Sequence, residues 1–353
     1  MKMRSIFVLL FIVVNMPIGY SQGNVHIMEI ENKSGCTFYF KVDSIKEIRF
    51  KEENTPPAKN GLIINNSEII HFAHLNDGTY LCRKFGLGGI SAEYNGLLDI
   101  QEMFIGELLG NTISVIRVLG TSDGDTVGPI SICRGDVDKW GGQWSGGVHL
   151  TNQGFKSAIS ESIKVFVDGC EIKKNGIFFG DTVCINAINK LYFPQTVNSS
   201  DLSTATEAIL ENRLYTLTDR MNVKVSLKVL NDLFVSAYWG VQIYRYGMDT
   251  LYAPNNNLSI SLPLKSRFVL KTKEQKVLYS KSTNPSHCYE IEVKPYGLGN
   301  FESNDGGDLN CGYFYAETFG KDYFVLIKTL KAYRLFAGDS VKWEAEYNYH
   351  IDN

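Results

Sequence analysis

Seven side chains able to stack, ionise or hydrogen-bond crowd into sixteen residues: Arg134, Asp136, Asp138, Trp140, Gln143, Trp144 and His149. Five glycines, Gly135, Gly141, Gly142, Gly146 and Gly147, are interleaved with them. Glycine lets a backbone turn tightly or approach a ligand closely, and loops on a rigid scaffold are where sites are commonly built. A Trp face can lie on a sugar ring. Arg134 can grip a carboxylate through paired hydrogen bonds, and His149 carries a group that ordinarily titrates near neutrality. The same composition also builds ligand-free plug loops, and a lone histidine is commonly structural.

A second cluster lies in Ser236 to Gly247, which holds Tyr238, Trp239, Gln242, Tyr244, Arg245 and Tyr246. Strand alternation would put Tyr238, Gly240, Gln242 and Tyr244 on one side, and Trp239, Val241, Ile243 and Arg245 on the other. The competing reading is an amphipathic strand with aromatic packing. The expectation is one cleft, with Trp140, Gln143, Trp144, Gln242 and Arg245 binding substrate and His149, Arg134 and Tyr244 acting on it. A polysaccharide lyase needs a group that neutralises a uronate, a base and an acid; an arginine, His149 and Tyr244 could supply them. A glycosidase needs two carboxylates roughly 5–10 Å apart, for which Asp136 and Asp138 are the local pair. A non-catalytic module binding glycan or protein needs neither, and the residues alone do not choose.

Other chemistries find no motif. G-x-S-x-G and H-E-x-x-H are absent, and Phe85-Gly-Leu-Gly-Gly lacks dinucleotide spacing. Asp123-Gly-Asp and Asn304-Asp-Gly-Gly-Asp308 could meet calcium, but neither is an EF-hand loop. No metal ligand set and no cofactor is assigned. A formal charge of −3 argues against nucleic acid, which calls for a basic face.

The elements that must carry these clusters read as β structure. Nineteen Tyr, 20 Phe and 32 Gly are the composition of strands joined by turns. Turn signals at Asn76-Asp-Gly, Asp123-Gly-Asp, Asp168-Gly, Lys174-Asn-Gly and Asn304-Asp-Gly-Gly separate apolar runs. Those runs include Thr112 to Leu119, Ile163 to Val167, Val223 to Leu230, Phe268 to Thr272 and Tyr323 to Leu330. Met221 to Leu230 alternates, with Val223, Val225 and Leu227 opposite Lys224, Ser226 and Lys228. Ala205, Ala208, Ile209 and Asn212 have helical spacing, so Thr204 to Leu214 reads as a helix or as a loop entering a strand. The class predicted is all-β, a large antiparallel β-sandwich over 62–353 behind a short N-terminal β segment at 22–53 and a linker at 54–61, where Thr-Pro-Pro and Asn-Gly fall.

Lys2, Arg4, the apolar run Ile6 to Val14 and small residues at Gly19 and Ser21 form a secretory signal peptide at 1–21, with cleavage expected near Gln22. The run is about half a membrane span, and no later segment reads as one. The chain is therefore expected to be exported, periplasmic or extracellular, with a poly- or oligosaccharide as partner. Seven cysteines leave at least one unpaired. Cys170 and Cys184, flanking Lys174-Asn-Gly, are the candidate disulfide if that stretch is a hairpin.

Two stretches carry resemblances. Val42-Asp-Ser-Ile-Lys-Glu-Ile-Arg-Phe50 resembles the leader that follows the signal peptide in many Bacteroidetes secreted proteins. Tyr323 to Leu330, the Gly338-Asp339 turn and Val341 to His350 resemble the closing hairpin of the galactose-mutarotase-like β-supersandwich. That fold occurs in sugar epimerases, glycosidase accessory domains and polysaccharide lyases. Alternation along the last strand puts Trp343 and Tyr347 on one face with Val341 and Ala345, and the resemblance implies that the 238–246 strand lies on a concave, sugar-facing sheet.

Overall fold

The computed structural model describes residues 27–31, 37–41, 60–66, 68–75, 78–87, 95–135, 144–245, 247–271, 276–284, 287–296 and 313–351. The signal peptide, the Val42–Phe50 leader, Asn304–Asp308 and the expected site residues Asp136, Asp138, Trp140 and Gln143 lie outside them. Among the described residues there is no α-helix, only strands and three short 3-10 turns. Among these residues no helix is long and apolar enough to cross a membrane.

Strands β1 (Ile27–Glu31) and β2 (Thr37–Lys41) pair as a hairpin. Next come β3 (Asn60–Asn65), β4 (Glu68–His74), β5 (Thr79–Leu87), β6 (Leu98–Leu109) and β7 (Thr112–Val127), five strands in antiparallel sequence. The first begins inside the expected linker. After β8 (Ile130–Cys133) and β9 (Trp144–Ser145) the chain builds β10 (Ala158–Val167), β11 (Cys170–Ile172), β12 (Gly176–Gly180), β13 (Val183–Tyr192), β14 (Glu207–Leu217) and β15 (Met221–Val229). The remainder is β16 (Leu233–Tyr238), β17 (Val241–Tyr244), β18 (Thr250–Ala253), β19 (Leu258–Ser261), β20 (Phe268–Lys271), β21 (Val277–Asn284), β22 (His287–Tyr296), β23 (Tyr313–Ala316), β24 (Lys321–Val325), β25 (Ile327–Leu335) and β26 (Ser340–Ile351).

Two ten-stranded antiparallel sheets form the sandwich. The first runs β11-β10-β13-β14-β15-β26-β22-β21-β18-β19, the second β12-β3-β4-β5-β6-β7-β17-β24-β23-β20, and a four-stranded sheet, β25-β16-β8-β9, joins them. One continuous apolar core draws on all three. In β15 the alternation is strict: Val223, Val225 and Leu227 are buried, while Lys224 and Lys228 are exposed. On β26, Val341, Trp343, Ala345 and Tyr347 all turn inward, as the alternation requires.

Four expectations are corrected. Of the two readings of 204–214 the helix falls and the loop entering a strand holds: the chain passes from a 3-10 turn at Leu202–Thr204 into strand β14, whose inward residues alternate as Ile209, Glu211, Arg213, Tyr215 and Leu217. Two charged residues at inward positions hid the period of two. They are tolerated because they pair: Arg213 bonds Glu211 at 2.6 Å and Asp99, on the facing sheet, at 3.2 Å, and Asn189 donates to Glu211 at 2.7 Å. Burial still pushes the Asp99 carboxyl up to about 7, against the pull of Arg213. Asp123-Gly-Asp is not a turn but part of bulged β7, where the register slips against β6.

The third correction concerns the closing hairpin. Strands β25 and β26 belong to different sheets, and the turn at Gly338 carries the chain across rather than back. The run Tyr323 to Leu330 likewise breaks at Leu326 into strands of two sheets. The fourth concerns the cysteines. Cys170 is disulfide-bonded, but Cys184 is a free thiol. Strands β11 and β13 lie on opposite sides of β10, which places the two residues two strand spacings apart, roughly 9–10 Å. That exceeds the reach of a disulfide. The Lys174-Asn-Gly turn instead hands the chain from β11 to β12 in the other sheet.

Candidate functional site: an aromatic face

The two clusters singled out in the sequence meet. The rings of Trp144 and Trp239 stack with centroids 6.0 Å apart and planes 26° apart. The row continues at both ends: His149 tilts over Trp144 at 5.7 Å, and Tyr323 lies 5.0 Å from Trp239. Tyr315 meets Trp239 edge-on at 5.7 Å, and Tyr313 meets Tyr315 at 6.3 Å. Trp144, Trp239 and Tyr313 are half-buried, whereas Tyr315 and Tyr323 are buried beneath them.

Strand register accounts for the floor. Gln242, Tyr323 and Tyr315 are successive cross-strand partners on β17, β24 and β23, so their side chains share the outer face. Val241, Phe324 and Phe314, one position along, share the inner face and enter the main core. Trp239 should by alternation point inward. It does not, because Gly240 interrupts the strand with φ +62. A Cβ at Gly240 would lie 1.7 Å from Leu326 Cδ1, so no other residue fits unless Leu326 moves. Trp239 N donates to Pro129 O at 3.1 Å and Gly128 N to Gly240 O at 2.7 Å, which fixes this reversal against the Gly128-Pro129 link between β7 and β8.

Trp144 and His149 are held by a residue the sequence did not single out. Asn95, buried, donates to the carbonyls of Gly146, Gly147 and His149 at 3.3, 3.2 and 2.6 Å, and its own Oδ1 accepts from Ser157 N and Ala158 N. Gly146 and Gly147 have φ of +75 and +52, values that suit a glycine turn. No local signal could have revealed Asn95, since its partners are more than fifty residues away.

The expected site residues divide. Trp144 and His149 are in the row of rings, and Tyr244 is half-buried on the outer side of β17, its ring against Gly320. Gln242 is 3% exposed, a floor residue rather than one that reaches a ligand. Arg245 points inward, 5% exposed. Its guanidinium bonds both Asp322 oxygens, at 2.9 and 3.2 Å, and the Glu317 carbonyl; Tyr279 also donates to Asp322. It is therefore a structural ion pair and not an anchor for substrate. Arg134 is exposed at the end of β8, with no contact to the row among the described residues.

His149 departs from the expectation of a neutral-range acid–base group. The residue as a whole is exposed, but its ring lies against Trp144, and desolvation of that ring, then the positive charge of Lys321, pull its pKa down to about 4. Its imidazole is neutral at pH 7. Among the described residues the face offers flat apolar rings, phenols and the ammonium of Lys321, close enough to act on His149.

No family model matches the chain, and no curated protein does. Among solved structures it is similar to the galactosidase domain of alpha-galactosidase-sucrose kinase, with 10% identity and a TM-score of 0.43 over 83% of this chain and 42% of that one. It is also similar to galactose 1-epimerase from Lactobacillus acidophilus NCFM, with 7% identity and a TM-score of 0.33 over 84% of this chain and all of that one. The chain spans less than half of the first protein's length. At these scores the likenesses assign no role to any residue.

Proposed function

We propose that this is an exported protein that binds a poly- or oligosaccharide at the aromatic face, the stacked Trp144–Trp239 pair supplying the surface on which a sugar ring lies. The observation that carries this reading is the 6.0 Å contact that joins two aromatic segments almost a hundred residues apart into one half-exposed platform. A pyranose has an apolar C–H face and a rim of hydroxyls. Flat indole faces match the first, and the reading gives the second to the polar groups of Tyr244, Tyr313 and Lys321. Binding is put ahead of turnover because Arg245, the arginine of the second cluster, is paired with Asp322.

The experiment is a titration of the full chain with neutral oligosaccharides, repeated on Trp144→Ala. Loss of a half-buried indole contact is expected to cost about 1.5–3 kcal/mol, roughly tenfold or more in affinity, with the circular dichroism unchanged. Equal affinity in the variant would remove the aromatic face as the site.

A further inference from the structure

The outer face of the first sheet carries a separate open groove of about 510 Å³ across β14, β15, β26 and β22. Cross-strand register builds it from two adjacent rows. Asn212, Ser226 and Lys342 are partners in one; Leu214, Lys224, Glu344 and Tyr296 are partners in the next. Being register partners, these side chains rise from the same face, opposite the core.

The charges in the groove do not balance. Glu344 is already engaged: one oxygen takes Lys224 at 3.2 Å, the other accepts from Asn222 at 2.8 Å. Lys342 stands exposed with no carboxylate partner among the described residues. Lys294 adds a further cation at the edge, its ammonium 4.9 Å from the centre of the Tyr296 ring. Among the lining residues two ammonium groups, Lys224 and Lys342, therefore face one carboxylate, Lys294 at the edge being offset by its register partner Glu346, while Leu214 and Tyr296 supply an apolar floor and Asn212 and Ser226 neutral hydrogen-bonding groups.

We infer that this groove binds an anionic sugar, a hydroxylated ring bearing one carboxylate or sulfate, with Lys342 and Lys224 facing the negative group, Asn212 and Ser226 the hydroxyls, and Tyr296 the ring. This site lies on the opposite sheet from the aromatic face and does not depend on it. Exposed ammonium groups gain from a fixed anion in a way that salt screens.

The test is calorimetry on the full chain with tetragalacturonate, its methyl ester and a sulfated galacto-oligosaccharide, at low and high salt, on the parent protein and on Lys342→Gln, Lys342→Arg and Trp144→Ala. The inference expects the uronate or the sulfated sugar to bind, the methyl ester to bind at least tenfold more weakly, and affinity to fall with salt. Lys342→Gln should lose about tenfold, Lys342→Arg should retain most of the affinity, and Trp144→Ala should leave it unchanged. No binding of either anion, equal binding of the methyl ester, or loss of anion binding in Trp144→Ala would overturn it. The last result would move acidic sugars to the aromatic face, while failure of neutral-sugar binding alone would count only against the function proposed above.

Discussion

The two outer faces of this sandwich are built by opposite means. On the first sheet, the groove follows from strict alternation: every second residue of β14, β15 and β26 points out, and register aligns them into rows. On the second sheet, the aromatic face depends on departures from regularity: a left-handed Gly240, a double-glycine turn and a buried asparagine that holds the turn from across the chain. Regular pairing spreads polar groups evenly along a surface. Interrupted pairing gathers large rings that alternation would have sent to opposite sides. The aromatic face should accordingly be the more fragile of the two, and the groove should tolerate substitution of its own outward residues.

The largest effect on that comparison is expected from Arg245→Ala. It leaves Asp322 buried without its cation, although Tyr279 still donates to it, and should destabilise the fold by about 3–5 kcal/mol. Denaturant unfolding would check this; a fully stable variant with lost sugar binding would restore Arg245 as a ligand residue. Gly240→Ala should come next, at about 2–4 kcal/mol, from the clash with Leu326 together with left-handed strain. Its signature is that Trp239 leaves the stack, which near-ultraviolet circular dichroism would register. Asn95→Ala should cost about 2–3 kcal/mol by leaving turn carbonyls and the Ser157 and Ala158 amides unsatisfied. Anion binding at the groove should survive in the folded fraction, whereas neutral-sugar binding falls.

Much of the architecture was legible in the chain. The alternation over 221–230 predicted the inward and outward faces of β15, and turn dipeptides at Asp168-Gly and Lys174-Asn-Gly fell between strands. What was illegible was which strands are neighbours. Lys224 and Ser226 were visible as a polar face, but only the register with β14 and β26 makes them part of a groove. The residues left helix and loop-to-strand open over 204–214 because Glu211 and Arg213, charged yet inward, are compensated by Asp99 on the facing sheet and Asn189 on neighbouring β13. Convergence of the 134–149 and 238–246 segments was expected through Gln242 and Tyr244; among the described residues the contact is instead between Trp144 and Trp239, whose orientation was inverted because Gly240 was treated as an ordinary strand residue.

A smaller effect separates the faces by pH. With its pKa lowered to about 4, His149 stays neutral in the folded protein well below the unfolded value of about 6.5. The unfolded chain then binds the extra proton, so the contribution of His149 to stability is present above about pH 6.5 and is lost as pH falls towards 4. Asp99 and Asp322, both raised to about 7, act in the opposite sense: their contribution is present below about pH 4 and is lost as pH rises through 7. Neutral-sugar binding at the aromatic face should therefore be flat from about pH 5.5 to 8. A midpoint near 6.5 in that binding curve would return His149 to an acid–base role.

The most direct measurement is the indole NMR spectrum of the full chain during titration with a neutral oligosaccharide. The sequence has four Trp, and Trp343 is buried with its Nε1 donating to Tyr238 at 2.8 Å. If the aromatic face is the binding surface, the ring signals of Trp144 and Trp239 shift together along one saturation curve and Trp343 stays still. Saturable binding that leaves Trp144 and Trp239 unmoved would contradict the account.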